Sequence, residues 1–251
     1  MSLGLKLAWV VFSLLLVDTA QAERAHVAVA SNFAAAAKQI VSEFEATSSH
    51  NISLSLGSSG KLYAQIVNGA PFDVFLSADQ AKPAALAERG FVADRKTYAL
   101  GKLALWLRHS MQQNWQTELK RAQIKRIALA NPRLAPYGAA TREVLSRLGL
   151  ESSTQSKWVI GENIAQTFQF VSSGNADAGF IAYSQMIAHP QSEGTIMPIS
   201  TDLHSAIAQD AVLLNRASAN KAAKAFYQFL QTKRVQTLIQ EAGYQLPQNG
   251  S

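Results

Sequence analysis

The chain has 251 residues, nearly half of them hydrophobic, and a formal net charge of +6. It contains no cysteine, which excludes disulfide bonds and a lipid anchor on an N-terminal cysteine. Its basic residues are scattered and form no basic-aromatic platform, so the charge favours the approach of anions and does not by itself indicate nucleic acid.

Residues 1–22 have the pattern of a secretory signal peptide. One lysine precedes a largely apolar stretch from Leu7 to Val17, and the segment ends in Ala20-Gln21-Ala22, an A-x-A cleavage pattern. The stretch is too short for a membrane span, which needs about 20 residues. We therefore expect an exported mature chain that starts at Glu23 and resides in the periplasm.

Strand-like and helix-like segments alternate along the mature chain. The predicted strands are 26–31, 52–57, 73–78, 102–108, 126–131, 157–160, 178–183, 195–199 and 211–214. The predicted helices are 33–44, 60–68, 82–89, 115–122, 139–148, 163–173, 184–188, 219–231 and 235–242. This alternation favours parallel, doubly wound α/β sheets. No low-complexity linker divides the chain, so two lobes would be connected through the short stretches just before Lys102 and Ala211.

The segment LGSSGKLYAQI, residues 56–66, places glycines and serines where a predicted strand gives way to a helix. A phosphate loop needs G-x-x-x-x-G-K-[ST], but Leu62 follows Gly60-Lys61 and Ser55 stands at the first glycine position. A nucleophile elbow needs G-x-S-x-G, and the segment from Gly57 to Gly60 is one residue too short. The five histidines and the acidic residues form no recognisable base, metal-ligand or acid–base pattern. We therefore do not expect an enzyme.

Four predicted strand-to-helix turns carry small, hydroxyl or amide residues: Ser31-Asn32, Gly57 to Gly60, 131–140 and 161–168. A helix N-terminus offers free N–H groups and about half a positive charge. Several such ends that converge at the carboxyl edge of the strands can hold an anion without a charged side chain. Any single serine in these turns could equally be an ordinary N-cap, but the whole set favours an anion site.

The same residues carry a family resemblance. Four stretches resemble periplasmic molybdate-binding proteins, the soluble receptors of ABC-type molybdate importers: VAVASNFAAAAKQI (27–40), LGSSGKLYAQIVNGAPFDVFLSAD (56–79), NPRLAPYGAAT (131–141) and ENI…DAGFIAY (162–183). The likeness continues to the final EAGYQL and is most specific at 56–79. It implies a type II periplasmic binding protein fold with two doubly wound α/β lobes joined by two crossing strands. Lobe 1 would comprise 23–101 and 211–251, and lobe 2 would comprise 102–210.

The resemblance also implies the ligand contacts. A tetrahedral oxyanion in the cleft would meet the hydroxyls of Ser31 and Ser59, the asparagine Asn32, and the backbone N–H groups of Tyr137 and Ile164. Ser31 and Ser59 would approach the metal atom only through the molybdate oxygens. Ser58, Gly60 and Asn163 would lie close by as supporting or less certain contacts.

Tyr183 is a further, less certain candidate. Some family members supply a tyrosine hydroxyl from the strand that here reads GFIAY, but alignment of the glycine puts Ala182 at that position. A one-residue step along a strand turns the side chain to the other face, so we expect Tyr183 to miss the ligand. Asn32 and Tyr137 place the chain with the members that lack this tyrosine.

Lys61, one residue beyond Gly60, is expected to face solvent from the first helical turn rather than bind the anion. A site of neutral donors would select by cavity size and by protonation, because a protonated phosphate leaves its proton unpaired there at about 1–3 kcal/mol. Molybdate and tungstate, nearly equal in size, would both bind.

We interpret the chain as a monomeric receptor that needs no cofactor and does not bind nucleic acid. It would bind molybdate or tungstate and deliver it to a membrane-embedded ABC permease. Two alternatives stay open at this point. One is a receptor for another tetrahedral oxyanion such as sulfate, and the other is an exported sensor or interaction protein without a role in transport.

Overall fold

The computed structural model describes residues 22–248. The predicted signal peptide lies outside this range except for Ala22. Among the residues described, no helix is both long and apolar enough to cross a membrane. Helices and strands alternate along this part of the chain and build two five-stranded sheets.

The first sheet has the strand order β2-β1-β3-β10-β4. Its strands are β1 (Arg24–Ala30), β2 (Asn51–Gly57), β3 (Val74–Leu76), β4 (Val92–Gly101) and β10 (Ile207–Leu214). Strand β1 is parallel to β2 and β3, whereas β10 is antiparallel to β3 and β4. The helices of this lobe are α1 (Ala34–Thr47), α2 (Ser59–Val67), α3 (Ala81–Glu88), α9 (Lys221–Phe229) and α10 (Lys233–Glu241).

The second sheet has the order β7-β6-β8-β5-β9. Its strands are β5 (Leu103–Leu107), β6 (Ile127–Ala130), β7 (Trp158–Gly161), β8 (Ala178–Ala182) and β9 (Thr195–Pro198). Strand β6 is parallel to β7 and β8, and β5 is antiparallel to β8 and β9. The helices are α4 (Trp115–Lys120), α5 (Pro136–Arg147), α6 (Glu151–Thr154), α7 (Ile164–Ser172) and α8 (Tyr183–Ala188).

Both sheets are covered on their two faces, as the continuous apolar runs in their central strands predict. In β1, Val27 and Val29 point into the core formed with α1, α9 and α10, while Ala28 points into the core beneath α2 and α3. In β5, alternate residues likewise divide between two cores, with Leu105 on one side and Trp106 on the other. This confirms the expected α/β class with two doubly wound lobes.

The chain passes between the lobes twice, at Gly101-Lys102 and between β9 and β10. The second passage ends earlier than the predicted start of lobe 1 at residue 211, because Ile207 already pairs with Gly101 in the first sheet. The segment 207–210 therefore lies in the sheet of lobe 1. They pair there with residues 97–101 of β4, and the segment begins next to lobe 2, because Ile207 also packs in the core of that lobe.

Several boundaries differ from the prediction. Helix α5 begins at Pro136 rather than Ala139, because proline is well suited to the first helical turn. Strand β8 ends at Ala182, and Tyr183 begins a helix instead of extending the strand. For β4, only the end just before Lys102 was expected, as a crossing strand, because most of the first half of β4 is exposed and shows no apolar alternation.

Candidate functional site

A small cavity lies between the lobes, where the carboxyl ends of β1, β2 and β3 face those of β6 and β7. The space in it that the centre of a water molecule can occupy is about 10 Å³. Its lining residues are Ala30, Ser31, Asn32, Gly57, Ser58, Ser59, Ala78, Ala135, Pro136, Tyr137 and Ile164. No charged side chain is among them, and lobe 2 supplies only the last four. The cavity is therefore a neutral site that needs both lobes to be complete.

Ser59 is the first residue of α2 and is fully buried. Its Oγ accepts a hydrogen bond from the backbone N–H of Ala78 at 2.9 Å. Because this bond uses a lone pair, the hydroxyl proton remains available for donation into the cavity. Ser58 has a different role, since its Oγ caps the helix by accepting from the N–H of Lys61 at 3.4 Å. Both hydroxyls therefore keep a proton to donate, and Ser58 in addition caps α2.

Backbone donors enter the cavity from lobe 2. Tyr137 and Ile164 lie in the first turn of α5 and α7, where N–H groups have no acceptor within their own helix. At α7, the Oδ1 of Asn163 accepts from the N–H groups of Ala165 and Gln166, which leaves that of Ile164 unbonded within the described chain. Burial of both residues keeps water from competing for these donors.

Ser31 connects the first turn of lobe 1 to lobe 2. Its Oγ donates to the Oδ1 of Asn163 at 3.2 Å, so the proton that would face an anion is used on the opposite lobe. A rotation about the Cα–Cβ bond of Ser31 would free that proton, since Asn163 keeps its two backbone donors. Ser31 therefore lines the cavity, but its hydroxyl proton is not oriented toward it in this structure.

Behind the cavity lies a buried polar cluster that spans both lobes. Asn32 donates through Nδ2 to Oε1 of Gln209 at 2.9 Å and to the hydroxyl of Tyr244 at 3.1 Å. Gln209 also accepts from the hydroxyl of Tyr98 and donates through Nε2 to that of Tyr137 at 3.4 Å. Burial raises the pKa of Tyr98, Tyr137 and Tyr244 above the ordinary tyrosine value of 10. The three hydroxyls therefore remain protonated and able to donate at neutral pH.

Direct contacts between the lobes accompany the cavity. The backbone N–H of Gly60 donates to the carbonyl of Leu134 at 2.9 Å. A Cβ atom on Gly60 would come within 3.0 Å of the Leu134 backbone, so a larger residue would push the two turns apart. At the rim, Lys61 Nζ and Glu162 Oε1 pair at 2.7 Å, with both side chains about half exposed. The lobes are thus closed around the cavity.

The sequence of the described region matches a known family. The family model described as bacterial extracellular solute-binding protein matches residues 25–245. The chain belongs to the bacterial extracellular solute-binding proteins. This family consists of transport receptors, which agrees with the absence of an enzyme motif from the sequence.

Relatives of this solute-binding protein include proteins named for one ligand. The molybdate-binding protein ModA of Azotobacter vinelandii is 42% identical over 236 residues, which cover 92% of this chain and 94% of the relative. ModA of Rhodobacter capsulatus is 39% identical, with 86% of each chain covered. The solved structure of the Azotobacter vinelandii periplasmic molybdate-binding protein superposes with a TM-score of 0.83 at 37% identity, covering 89% of this chain and all of that one.

Six of the nine residues predicted for the site of this solute-binding protein line the cavity: Ser31, Asn32, Ser58, Ser59, Tyr137 and Ile164. Gly60 and Asn163 lie at its edge, in the interlobe and capping contacts described above. Tyr183 does not line it and packs, half-buried, beside the core that contains Trp106. Tyr183 was predicted to miss the ligand because of the alternation of side chains along a strand. That reason was wrong, because Tyr183 is the first residue of helix α8.

Sequence reasoning missed Ala78, Gln209 and Gly101. Ala78 follows β3 at the same sheet edge as the serine turns. Its position just after a predicted strand could therefore have identified it as a lining residue. Gln209 and Gly101 lie on the two strands that pass between the lobes and become neighbours only in the fold. No local motif marks them.

Proposed function

We propose that this solute-binding protein is a periplasmic receptor that holds molybdate, and also tungstate, in the interlobe cavity and delivers it to an ABC importer. The observation that carries the proposal is a closed, neutral cavity with hydrogen-bond donors from both lobes. The names of the Azotobacter and Rhodobacter relatives support the choice of molybdate. The proposal includes a monomeric receptor whose ligand contacts are Ser31, Asn32, Ser59, Tyr137 and Ile164.

A fully deprotonated tetrahedral dianion suits these donors. The hydroxyl of Ser59 and the N–H groups of Tyr137 and Ile164 have protons to offer, and no carboxylate lines the cavity. Hydrogen bonds to charged groups contribute about 1.5–3 kcal/mol each after the exchange with water is counted, so several donors together favour the bound dianion. A protonated phosphate would need an acceptor for its proton, and no carboxylate lines the cavity to supply one.

Closure of the lobes also supports the importer step. The contacts between Gly60 and Leu134 and between Lys61 and Glu162 join two turns from different lobes at the rim. A permease that recognises the joined surface would distinguish a closed, loaded receptor from an open one. Release would follow when the permease separates the two turns.

The test is calorimetric titration of the mature protein, starting at Glu23, with molybdate, tungstate, sulfate and phosphate in separate runs. We expect one-to-one binding of molybdate and tungstate and no heat from phosphate. Tight sulfate binding in place of molybdate would retain the anion site and overturn the ligand. Absence of heat with all four anions would overturn the receptor proposal and favour an exported sensor.

A further inference from the structure

Gln209 is a fully buried residue of β10 whose side chain contacts both lobes. Its Oε1 accepts from Asn32 and Tyr98 of lobe 1, and its Nε2 donates to the hydroxyl of Tyr137 in lobe 2. It does not line the cavity, but two of these partners do. Gln209 is therefore placed to act on the anion through Asn32 and Tyr137.

The amide of Asn32 is only half satisfied in this arrangement. Both Nδ2 protons are used, on Gln209 and on Tyr244. Among the residues that the structure describes, Oδ1 is buried and has no hydrogen-bond partner. Because the nitrogen is held on the side of Gln209 and Tyr244, the unpaired oxygen is the end that remains for the cavity. An acceptor at that place would repel a dianion, and an unpaired buried acceptor is itself unfavourable.

A rotation of two amides removes both defects. If the Asn32 amide turns by about 180°, its NH₂ group can donate to the anion and its Oδ1 faces Gln209. If the Gln209 amide turns as well, Nε2 donates to that Oδ1 and Oε1 accepts from the Tyr137 hydroxyl. In this structure the backbone carbonyl of Asn32 accepts from the hydroxyls of both Tyr244 and Ser184. Tyr244 can therefore turn its proton to Oδ1 of Asn32 and leave the carbonyl bonded to Ser184. The amide groups of Asn32 and Gln209 then have partners at both ends, and Tyr98, which donates to Gln209 Oε1 in this structure, accepts from Nε2 instead.

We propose that Gln209 is a positioning residue for anion binding, and that it sets the orientation of the Asn32 amide by turning together with it. In this structure Gln209 holds the Asn32 nitrogen away from the cavity. In the loaded protein it holds the Asn32 oxygen and so presents the nitrogen to the ligand. The inference rests on the proposed oxyanion function and adds a residue that does not touch the anion.

The experiment is a double-mutant cycle with Gln209→Met and Asn32→Ala, read by calorimetric titration with molybdate. Methionine keeps the length of the side chain but removes both hydrogen-bonding ends. We expect Gln209→Met to weaken binding about tenfold in the wild-type chain, because the buried Asn32 oxygen of the loaded, closed protein loses a donor, whereas water can replace Gln209 when the lobes are open. In the Asn32→Ala chain the loss should be less than about twofold. Equal losses in both backgrounds, or no loss in the wild-type chain, would overturn the proposal.

A second measurement separates this inference from the proposed function. NMR of the side-chain amides in the protein without anion should show slow exchange of the Asn32 protons, and Gln209→Met should accelerate it. Molybdate should then shift the amide signals of both Asn32 and Gln209. Unchanged exchange in Gln209→Met overturns the positioning role even if no anion binds, whereas a silent wild-type titration overturns the receptor function alone. Thr154→Val is the control, since it removes a buried hydroxyl bond in lobe 2 outside the cavity lining and should leave both readouts unchanged.

Discussion

Lys61 of lobe 1 and Glu162 of lobe 2 form an ion pair across the mouth of the cavity, with 2.7 Å between Nζ and Oε1. Each residue lies next to a turn that supplies donors, since Lys61 follows Ser59 by two positions and Glu162 precedes Ile164 by two. The pair exists only when the lobes are closed. It also neutralises the one lysine that the sequence brings next to the serine turn, which leaves selection of the anion to uncharged donors.

We expect Lys61→Ala to weaken molybdate binding by less than about tenfold, or about 1.4 kcal/mol, because the half-exposed pair contributes little. Lys61→Glu should weaken it more, since two carboxylates would then repel each other at the rim. The double exchange Lys61→Glu with Glu162→Lys should recover most of that loss by restoring the pair. Titrations at low and high salt would measure this. A loss well above tenfold in Lys61→Ala would make the lysine a direct ligand.

The serine hydroxyls are expected to matter more. Ser31→Ala and Ser59→Ala should each cost about 1.5–3 kcal/mol of binding, the usual value for a hydrogen bond to a charged group. Ser59→Ala should have the clearer effect, because its proton is already free while that of Ser31 is used on Asn163. The matched control is Ser53→Ala, a serine of β2 that does not line the cavity. Wild-type affinity in both site variants would rule out the hydroxyl contacts.

The order of strands and helices in most of the chain could be predicted because each segment carries its own periodicity. Strands β1, β5 and β8 are continuous apolar runs, and their burial on both faces follows from a doubly wound sheet. The serine turns could be placed at one sheet edge for the same reason. These features depend on residues that are close together in the sequence.

What could not be predicted depends on contacts between distant segments. Strand β4 joins the sheet through β10, more than a hundred residues away, so its own composition gave little signal. The cluster around Gln209 draws on residues from 32 to 244 and has no motif. The hydroxyl of Ser59 keeps its proton free because it accepts from Ala78, whereas the hydroxyl of Ser31 donates its proton to Asn163. Local sequence patterns specify neither of these partners.

Gly101 should not tolerate a side chain. A Cβ atom there would lie 2.2 Å from the Tyr137 hydroxyl and 2.7 Å from Nε2 of Gln209, at the passage between the lobes. We expect Gly101→Ala to lower the free energy of unfolding by about 1–3 kcal/mol, as overpacking of a filled interior does. Tyr137→Phe removes the nearest atom and should recover part of that loss in the double variant. Urea unfolding would measure both, and equal stability of Gly101→Ala and wild type would contradict the close approach.

The buried tyrosines predict how stability changes in alkali. Burial, with further contributions from Tyr244, Tyr137 and Asp210, raises the pKa of Tyr98 well above 10. A group whose folded pKa is raised contributes stability that is fully present below its unfolded pKa and is lost as pH rises from there toward the folded value. The Tyr98→Phe variant lacks this contribution. Above pH 10 its free energy of unfolding should therefore decrease less steeply than that of the wild type, by about 1.4 kcal/mol per pH unit. The lost hydrogen bond to Gln209 adds only a constant difference in stability, which is visible at pH 7.

Urea unfolding of both proteins from pH 8 to 11 would measure the two slopes. Parallel curves over that range would mean that Tyr98 ionises as readily in the folded as in the unfolded chain.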